Sequence, residues 1–239
     1  EGKDIKLLTH HYYREGQNPT SSIDKLLHPD PKLAPMLAQL NAASKSSRIP
    51  YRICETNSFS GGGKPRVSDT FAAALWVLDF MYTLASVGCA GVNMETGVNQ
   101  KGFISSYSPI GDDEKGHYTA TPEFYGMLAF AQSGKGTLIE TSLEAGNRNV
   151  KAYATRQGQG HISVTLINKE ATFDEVVSIE GAEVFKKGSL LRLSGPSLES
   201  KTEVLLGGAS VEPSGVWHPG HVDEIHSSGG KLVVHLPGA

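Results

Sequence analysis

The chain has 239 residues, a formal net charge of −3 and 38 % hydrophobic content. That balance gives no reason to expect nucleic acid or an anionic membrane as partner, and no stretch approaches the eighteen apolar residues of a membrane span. Its length suffices for one large core or two smaller ones.

The charged opening Glu1-Gly-Lys-Asp4 does not read as a secretory signal. Ile5 to Tyr13 is an apolar and β-branched run that predicts a strand, with Leu8, His10 and Tyr12 on one face and Thr9, His11 and Tyr13 on the other. Loop signals follow at Gly16 and Asn18-Pro19, then a helix with Leu33, Met36, Leu37 and Leu40 on one side. Tyr51 to Glu55 predicts a second strand, whose alternation puts Tyr51, Ile53 and Glu55 together. A helix capped near Ser68 runs apolar on nearly all sides from Phe71 to Leu84, so protein must cover it. Gly88 to Met94 predicts a third strand and Pro122 to Gln132 a third helix. Three strand–helix units in succession imply a parallel sheet with right-handed crossovers.

Beyond Gly134 the texture changes to short Val-, Leu- and Ile-rich runs broken by Gly, Ser and Asn: 136–141, 150–155, 161–168, 175–179, 190–193 and 231–236. That spacing predicts an antiparallel β-sandwich. The expected division is 1–134 and 135–239. Three units are too few to close a (β/α)8 barrel of about 250 residues. The front is therefore either a small open α/β layer or the back portion of a barrel whose first part lies elsewhere. Cys54 and Cys89, placed at opposite ends of neighbouring strands, are expected to be separate buried thiols.

Glu55 stands where a strand meets Ser60-Gly-Gly-Gly63, and in a parallel barrel such strand ends carry the chemistry. It reads either as a nucleophile toward a sugar or as a cap on the following turn. His10, Tyr12 and their neighbours are either groups that orient a carboxylate and a ring hydroxyl or core-edge residues. Glu95, sharing a face with Asn93, is expected near Glu55, as a substrate contact or as the partner of an acid/base pair. Gly61-Gly-Gly-Lys-Pro65 lacks the Gly-x-x-x-x-Gly-Lys-Ser/Thr pattern of a phosphate loop, which excludes that reading. Trp217 to His226 collects three histidines and two acids, but at no standard zinc spacing, and reads as a solvated loop.

The run His10-His-Tyr-Tyr13, then Glu55-Thr-Asn-Ser-Phe-Ser-Gly-Gly-Gly63, then Ser68-Asp-Thr-Phe-Ala-Ala73 closely resembles glycoside hydrolase family 79, which holds heparanase and the microbial β-glucuronidases. The resemblance implies the C-terminal part of a (β/α)8 TIM barrel, about strands 6–8, followed by an antiparallel β-sandwich, acting as a retaining glycosidase on β-linked glucuronic acid. It makes Glu55 the nucleophile, places His10 and Tyr12 beside it, and gives the amides of Gly61 and Gly62, with Tyr107, the substrate's carboxylate. Ser60 departs from the tyrosine of several members. The family's acid/base glutamate ends the fourth barrel strand, roughly three units of about 30 residues upstream, which exceeds what precedes residue 55. The implied partners are therefore a uronic-acid glycan or glucuronide and an N-terminal portion carrying that acid. One more sandwich strand is expected after Ala239, and no metal or organic cofactor is implied. Two other readings stand beside this one: a non-catalytic binder of acidic glycans, and a retaining glycosidase for a neutral sugar.

Overall fold

The computed structural model describes residues 4–100, 102, 105–158, 160–181 and 185–239. Glu1 to Lys3 of the charged opening and residues 101, 103 and 104 lie outside the described residues. In chain order the elements are β1 (Leu8–Tyr13), α1 (Ile23–Leu27), α2 (Leu33–Ser47), β2 (Tyr51–Asn57), α3 (Phe71–Ser86), β3 (Val92–Met94), β4 (Ile110–Asp112), β5 (Tyr118–Ala120), α4 (Pro122–Ser133) and β6 (Thr137–Ile139). They continue with β7 (Val150–Gln157), β8 (His161–Asn168), β9 (Glu175–Ile179), β10 (Lys187–Leu190), β11 (Leu193–Ser194), β12 (Leu205–Leu206), β13 (Asp223–His226) and β14 (Leu232–Leu236).

β1, β2 and β3 form a parallel sheet in that order, with β2 in the middle. Among the described residues no further strand pairs with β1 or β3, so both outer edges carry unused ladder groups. α3 is the core of this layer. Eleven of its residues are buried, as its all-round apolar sequence requires. Trp76 stacks on Phe80 at 5.2 Å, and Phe80 on Tyr12 of β1 at 5.4 Å. α4 approaches α3 closely at Gly126, where a Cβ would lie 2.2 Å from the Ala74 carbonyl oxygen. Only glycine permits that contact.

Three expectations need correction here. The α3 helix begins at Phe71 rather than at Ser68, whose hydroxyl is taken by the Lys64 amide and the Ser58 hydroxyl. The first-turn amides of Phe71 and Ala72 instead donate to the carbonyls of Ser200 and Leu198, 2.8 and 3.0 Å away. β3 starts at Val92, leaving Cys89 in the turn after α3, where its amide donates to Leu84 and its thiol to the Gly91 carbonyl. Cys54 and Cys89 are free thiols, both half-buried rather than buried.

The back of the chain is antiparallel but does not form two continuous sheets among the described residues. β6, β7 and β8 make a three-stranded ladder; β9 pairs with β14, β10 with β13 and β11 with β12. Gly, Ser and Pro between these runs keep the ladders short. Ile167, Leu198, Val204 and Leu206 from this half join the same apolar cluster as α3. Tyr82 of α3 stacks on Tyr153 of β7 at 4.6 Å and shares hydrogen bonds with Ser133 and Thr165. Asp79 of α3 accepts from Lys169 Nζ at 2.8 Å and Tyr153 Oη at 2.6 Å. The Lys169 side chain is only 3 % exposed, so this pair is shielded from water.

Candidate active site

Strict alternation along β2 would place Glu55 with Tyr51 and Ile53, which are 1 % and 0 % exposed against the helical layer. A bulge prevents this. On the β1 side the register runs His10 with Ile53 and then His11 with Glu55; on the β3 side Ile53 pairs with Val92 and Thr56 with Met94. One extra residue on β2 therefore reverses the facing of all that follows. Thr56 turns inward at 0 % exposure, while the Glu55 side chain stays 40 % exposed on the open side.

The same shift decides which β1 residues meet Glu55. Tyr13 Oη donates to Glu55 Oε1 at 3.1 Å, and His11 Nδ1 lies 3.5 Å from Oε2. The expected neighbours, His10 and Tyr12, are not there. Tyr12 is 7 % exposed, packs on Phe80 and donates to Asp30 Oδ2 at 2.8 Å. His10 pairs with Ile53 across the ladder, is exposed, and makes no side-chain hydrogen bond among the described residues. Sequence alone names the four residues but not the pair, because the bulge leaves no signature in Arg52-Ile-Cys-Glu55.

Gly61, Gly62 and Gly63 have φ of +85°, +90° and +81°. Three consecutive left-handed residues demand glycine. The Gly63 amide closes the turn onto Phe59, and Gly62 accepts from the Ser106 amide at 2.6 Å. The Gly61 amide has no acceptor among the described residues, and the Gly62 amide faces the Tyr107 hydroxyl. A Cβ on Gly63 would stand 2.9 Å from the Tyr107 amide nitrogen, so the glycine turn and the Tyr107 loop interlock.

Tyr107 is 3 % exposed, and its ring lies 6.4 Å from that of Tyr13 with 27° between planes. Burial holds the Tyr107 hydroxyl above the ordinary tyrosine range, and the charges of Glu95 and Glu55 add to this. The Tyr13 hydroxyl and the Gly62 amide act in the opposite sense. Tyr13 is raised in the same way, by burial first and then by Tyr107 and Glu55. Both phenols therefore remain protonated donors across the physiological range.

Glu95 follows β3 directly, its amide bonded to the Thr56 carbonyl at 2.8 Å. Asn57, two residues beyond Glu55, is wholly buried, and its Nδ2 reaches the Glu95 carbonyl at 3.0 Å, the Tyr107 carbonyl at 3.1 Å and Glu123 Oε1 at 3.1 Å. Asn57 and Glu123 were not picked out by sequence. The sole hint was the position of Asn57, just past the candidate nucleophile.

The structure thus brings Glu55, His11 and Tyr13 to an open face at the C-terminal end of the parallel sheet, with buried Tyr107 packed beside Tyr13 and the Gly61–Gly62 turn next to Tyr107. A carboxylate with a phenol donor, beside main-chain amides able to hold an anion, suits nucleophilic attack on an anionic substrate. Two cavities lie elsewhere, about 360 Å³ around Tyr82, Cys89 and Phe130, and about 430 Å³ around Asp69, Thr121 and Lys201; Glu55 lines neither. Among the described residues no group of three His, Cys, Asp or Glu stands close enough to hold a metal. In the Trp217–His226 segment His221 pairs with Asp223 and His226 with Glu224.

No family model matches the chain. It is 33 % identical over 138 residues to a β-glucuronidase of Neurospora crassa, covering 55 % of this chain and 24 % of that protein. It is 29 % identical over 178 residues to a β-glucuronidase of Aspergillus niger, covering 70 % and 32 %. The chain thus spans about a quarter to a third of the length of these relatives. Its fold matches the crystal structure of a 4-O-α-L-rhamnosyl-β-D-glucuronidase from Fusarium oxysporum with a TM-score of 0.80 at 20 % identity, over 99 % of this chain and 52 % of that one. The likeness to β-glucuronidases seen in the Glu55 region therefore extends to curated sequences and to a solved fold.

Proposed function

We propose that this chain, with its likeness to the family 79 β-glucuronidases, is the C-terminal part of such an enzyme and supplies the nucleophile for retaining cleavage of β-linked glucuronic acid. In this reading residues 1–134 complete a (β/α)8 barrel as about strands 6–8, with the open edges of β1 and β3 joined to strands outside this chain. Residues 135–239 form the attached β domain.

Glu55 attacks the anomeric carbon as the bond to the leaving oxygen breaks. An acid on a segment outside this chain, about 5–5.5 Å away, gives that oxygen its proton. The glycosyl ester on Glu55 is then opened by water, whose proton returns to the same group. Tyr13 fixes the attacking carboxylate through its 3.1 Å bond, with His11 on the other oxygen. These two take the places that the resemblance assigned to His10 and Tyr12; Tyr12 instead anchors β1 to Asp30 and α3. The Gly61 and Gly62 amides and the Tyr107 hydroxyl hold the sugar carboxylate. The reaction so written needs no cofactor.

The observation that carries this reading is the bulge that turns Glu55 to the open face under the Tyr13 hydroxyl, in a chain whose curated relatives are β-glucuronidases. The test uses the intact assembly, an aryl β-glucuronide and a mechanism-based uronic acid inactivator. Expected are turnover, a covalent label on the Glu55 peptide, and a fall in kcat of at least about a thousandfold in Glu55→Gln. Undiminished turnover in that variant overturns the assignment. Tight binding without an adduct supports a glycan binder instead, and an unchanged rate after reduction of the substrate carboxylate supports a neutral-sugar enzyme.

A further inference from the structure

Glu123 is the second residue of α4, 1 % exposed, and Oε2 has no hydrogen-bond partner among the described residues. Its other oxygen accepts from Asn57. A carboxyl group so placed is an expensive way to fill space, because a leucine or methionine of similar volume would avoid the desolvation cost. What the acid supplies is one acceptor, at one point, for one amide. That amide also grips the main-chain carbonyls of Glu95 and Tyr107. Those two residues sit on the segments that follow β3 and precede β4, and Asn57 is two positions from Glu55. Four segments therefore meet at a single buried side chain: the end of β2, the end of β3, the Tyr107 loop and the start of α4.

We propose that Asn57 and Glu123 form a buried latch that positions Tyr107 and Glu95 against Glu55, so that Glu123, though it touches no substrate, is a positioning residue of the site. Burial, opposed by the Asn57 contact, raises its carboxyl well above the usual range and favours the protonated form as the other oxygen accepts from Asn57. A neutral acid and a glutamine offer the same acceptor here. The latch accordingly needs an amide-accepting oxygen at this distance, not a charge.

For its kinetic arm only, this inference rests on the glucuronidase reading. Three single variants of the intact assembly and one double variant decide it, the singles being Glu123→Gln, Glu123→Leu and Asn57→Ala. Glu123→Gln is expected to stay within about threefold of the parent in kcat, since the neutral hydrogen bond survives. Glu123→Leu is expected to melt no lower than the parent yet to lose about 10- to 100-fold in kcat with KM little changed, because misplacement of aligned groups acts on the transition state. The double variant Asn57→Ala/Glu123→Leu is expected to be no worse than the poorer single. If Glu123→Leu does not fold, Glu123→Asp replaces it, drawing the acid back by one methylene, and the same kcat loss is expected.

A second arm needs no substrate. Hydrogen exchange in peptides containing Glu95 and Tyr107 is expected to quicken in Glu123→Leu and not in Glu123→Gln. Unchanged exchange in both variants, or equal loss of kcat in the glutamine and leucine variants, overturns the latch. Absence of turnover in the parent sinks the glucuronidase reading while leaving the exchange arm to judge the latch.

Discussion

The Asp79–Lys169–Tyr153 trio joins α3 to the β7–β8 ladder, and its removal one member at a time gives a sharp test of the packing described above. At 2.8 Å and an effective dielectric of about 20, the Lys169–Asp79 attraction is roughly 6 kcal/mol gross, before the desolvation of both ions is set against it. Lys169→Met leaves Asp79 charged and only 16 % exposed, which costs about 3–5 kcal/mol when nothing else compensates. The Tyr153 hydroxyl, 2.6 Å away, still donates to it, so about 3 kcal/mol is expected. Asp79→Leu/Lys169→Met removes both charges and leaves Tyr153 with Thr83 Oγ1 at 3.3 Å, so the double variant should cost only about 1 kcal/mol. In a unit of this size about 3 kcal/mol corresponds to a fall in Tm of roughly 6–12 °C. The assay is chemical and thermal denaturation of the intact assembly through the full double-mutant cycle. Single variants whose effects add within about 0.5 kcal/mol would refute the reasoning, since they would show the ions to be independent.

Other expectations follow from the site. Tyr13→Phe deletes the donor to Glu55 Oε1, and loss of a hydrogen bond to a charged group, about 1.5–3 kcal/mol, should lower kcat/KM for an aryl glucuronide by about 10- to 100-fold. Gly63→Ala combines a φ of +81° with contacts of 2.9 Å to Ser68 Cβ and the Tyr107 nitrogen. It should cost about 2 kcal/mol or more of stability and weaken glucuronide binding, as read by denaturation and KM. Glu123 gives a pH signature. Its folded carboxyl holds its proton more tightly than the unfolded one, so its stability is fully present below the unfolded value of about 4.5 and declines as pH rises toward the folded value. Glu123→Gln lacks that decline. Between those limits the variant should therefore gain on the parent by about 1.4 kcal/mol per pH unit, and parallel stability–pH curves for the two proteins would contradict this.

The sequence carried the backbone plan better than the facing of side chains. Regular patterns such as Val150 to Asn168, or the apolar Phe71 to Leu84 run, were legible because burial and periodicity agree there. α1 was missed although Ser22 caps it by accepting from the Lys25 amide, because five residues are too few for a period to show. The β4–β5 hairpin was missed for the same reason. At the site Glu55 and the glycine turn were visible as chemistry at a strand end, whereas the choice of Tyr13 over Tyr12 rests on one inserted residue in β2. That insertion shifts every later side chain by half a period and leaves no compositional trace. Glu123 was hidden because a glutamate in the first turn of a helix ordinarily faces solvent and the helix dipole. Only the tertiary crowding around Asn57 draws it inward.

The α3 amides that rest on the Ser200 and Leu198 carbonyls bear on how such chains can be recombined. Among the described residues no side chain of the front portion caps the start of that helix, so its first turn borrows its stop from a loop more than a hundred positions later. Grafting residues 1–134 onto an unrelated β module would strand two hydrogen-bond donors beside the most apolar helix of the molecule. A chimera that keeps the loop around Leu198 to Ser200 avoids that defect, which makes this loop the natural unit of exchange.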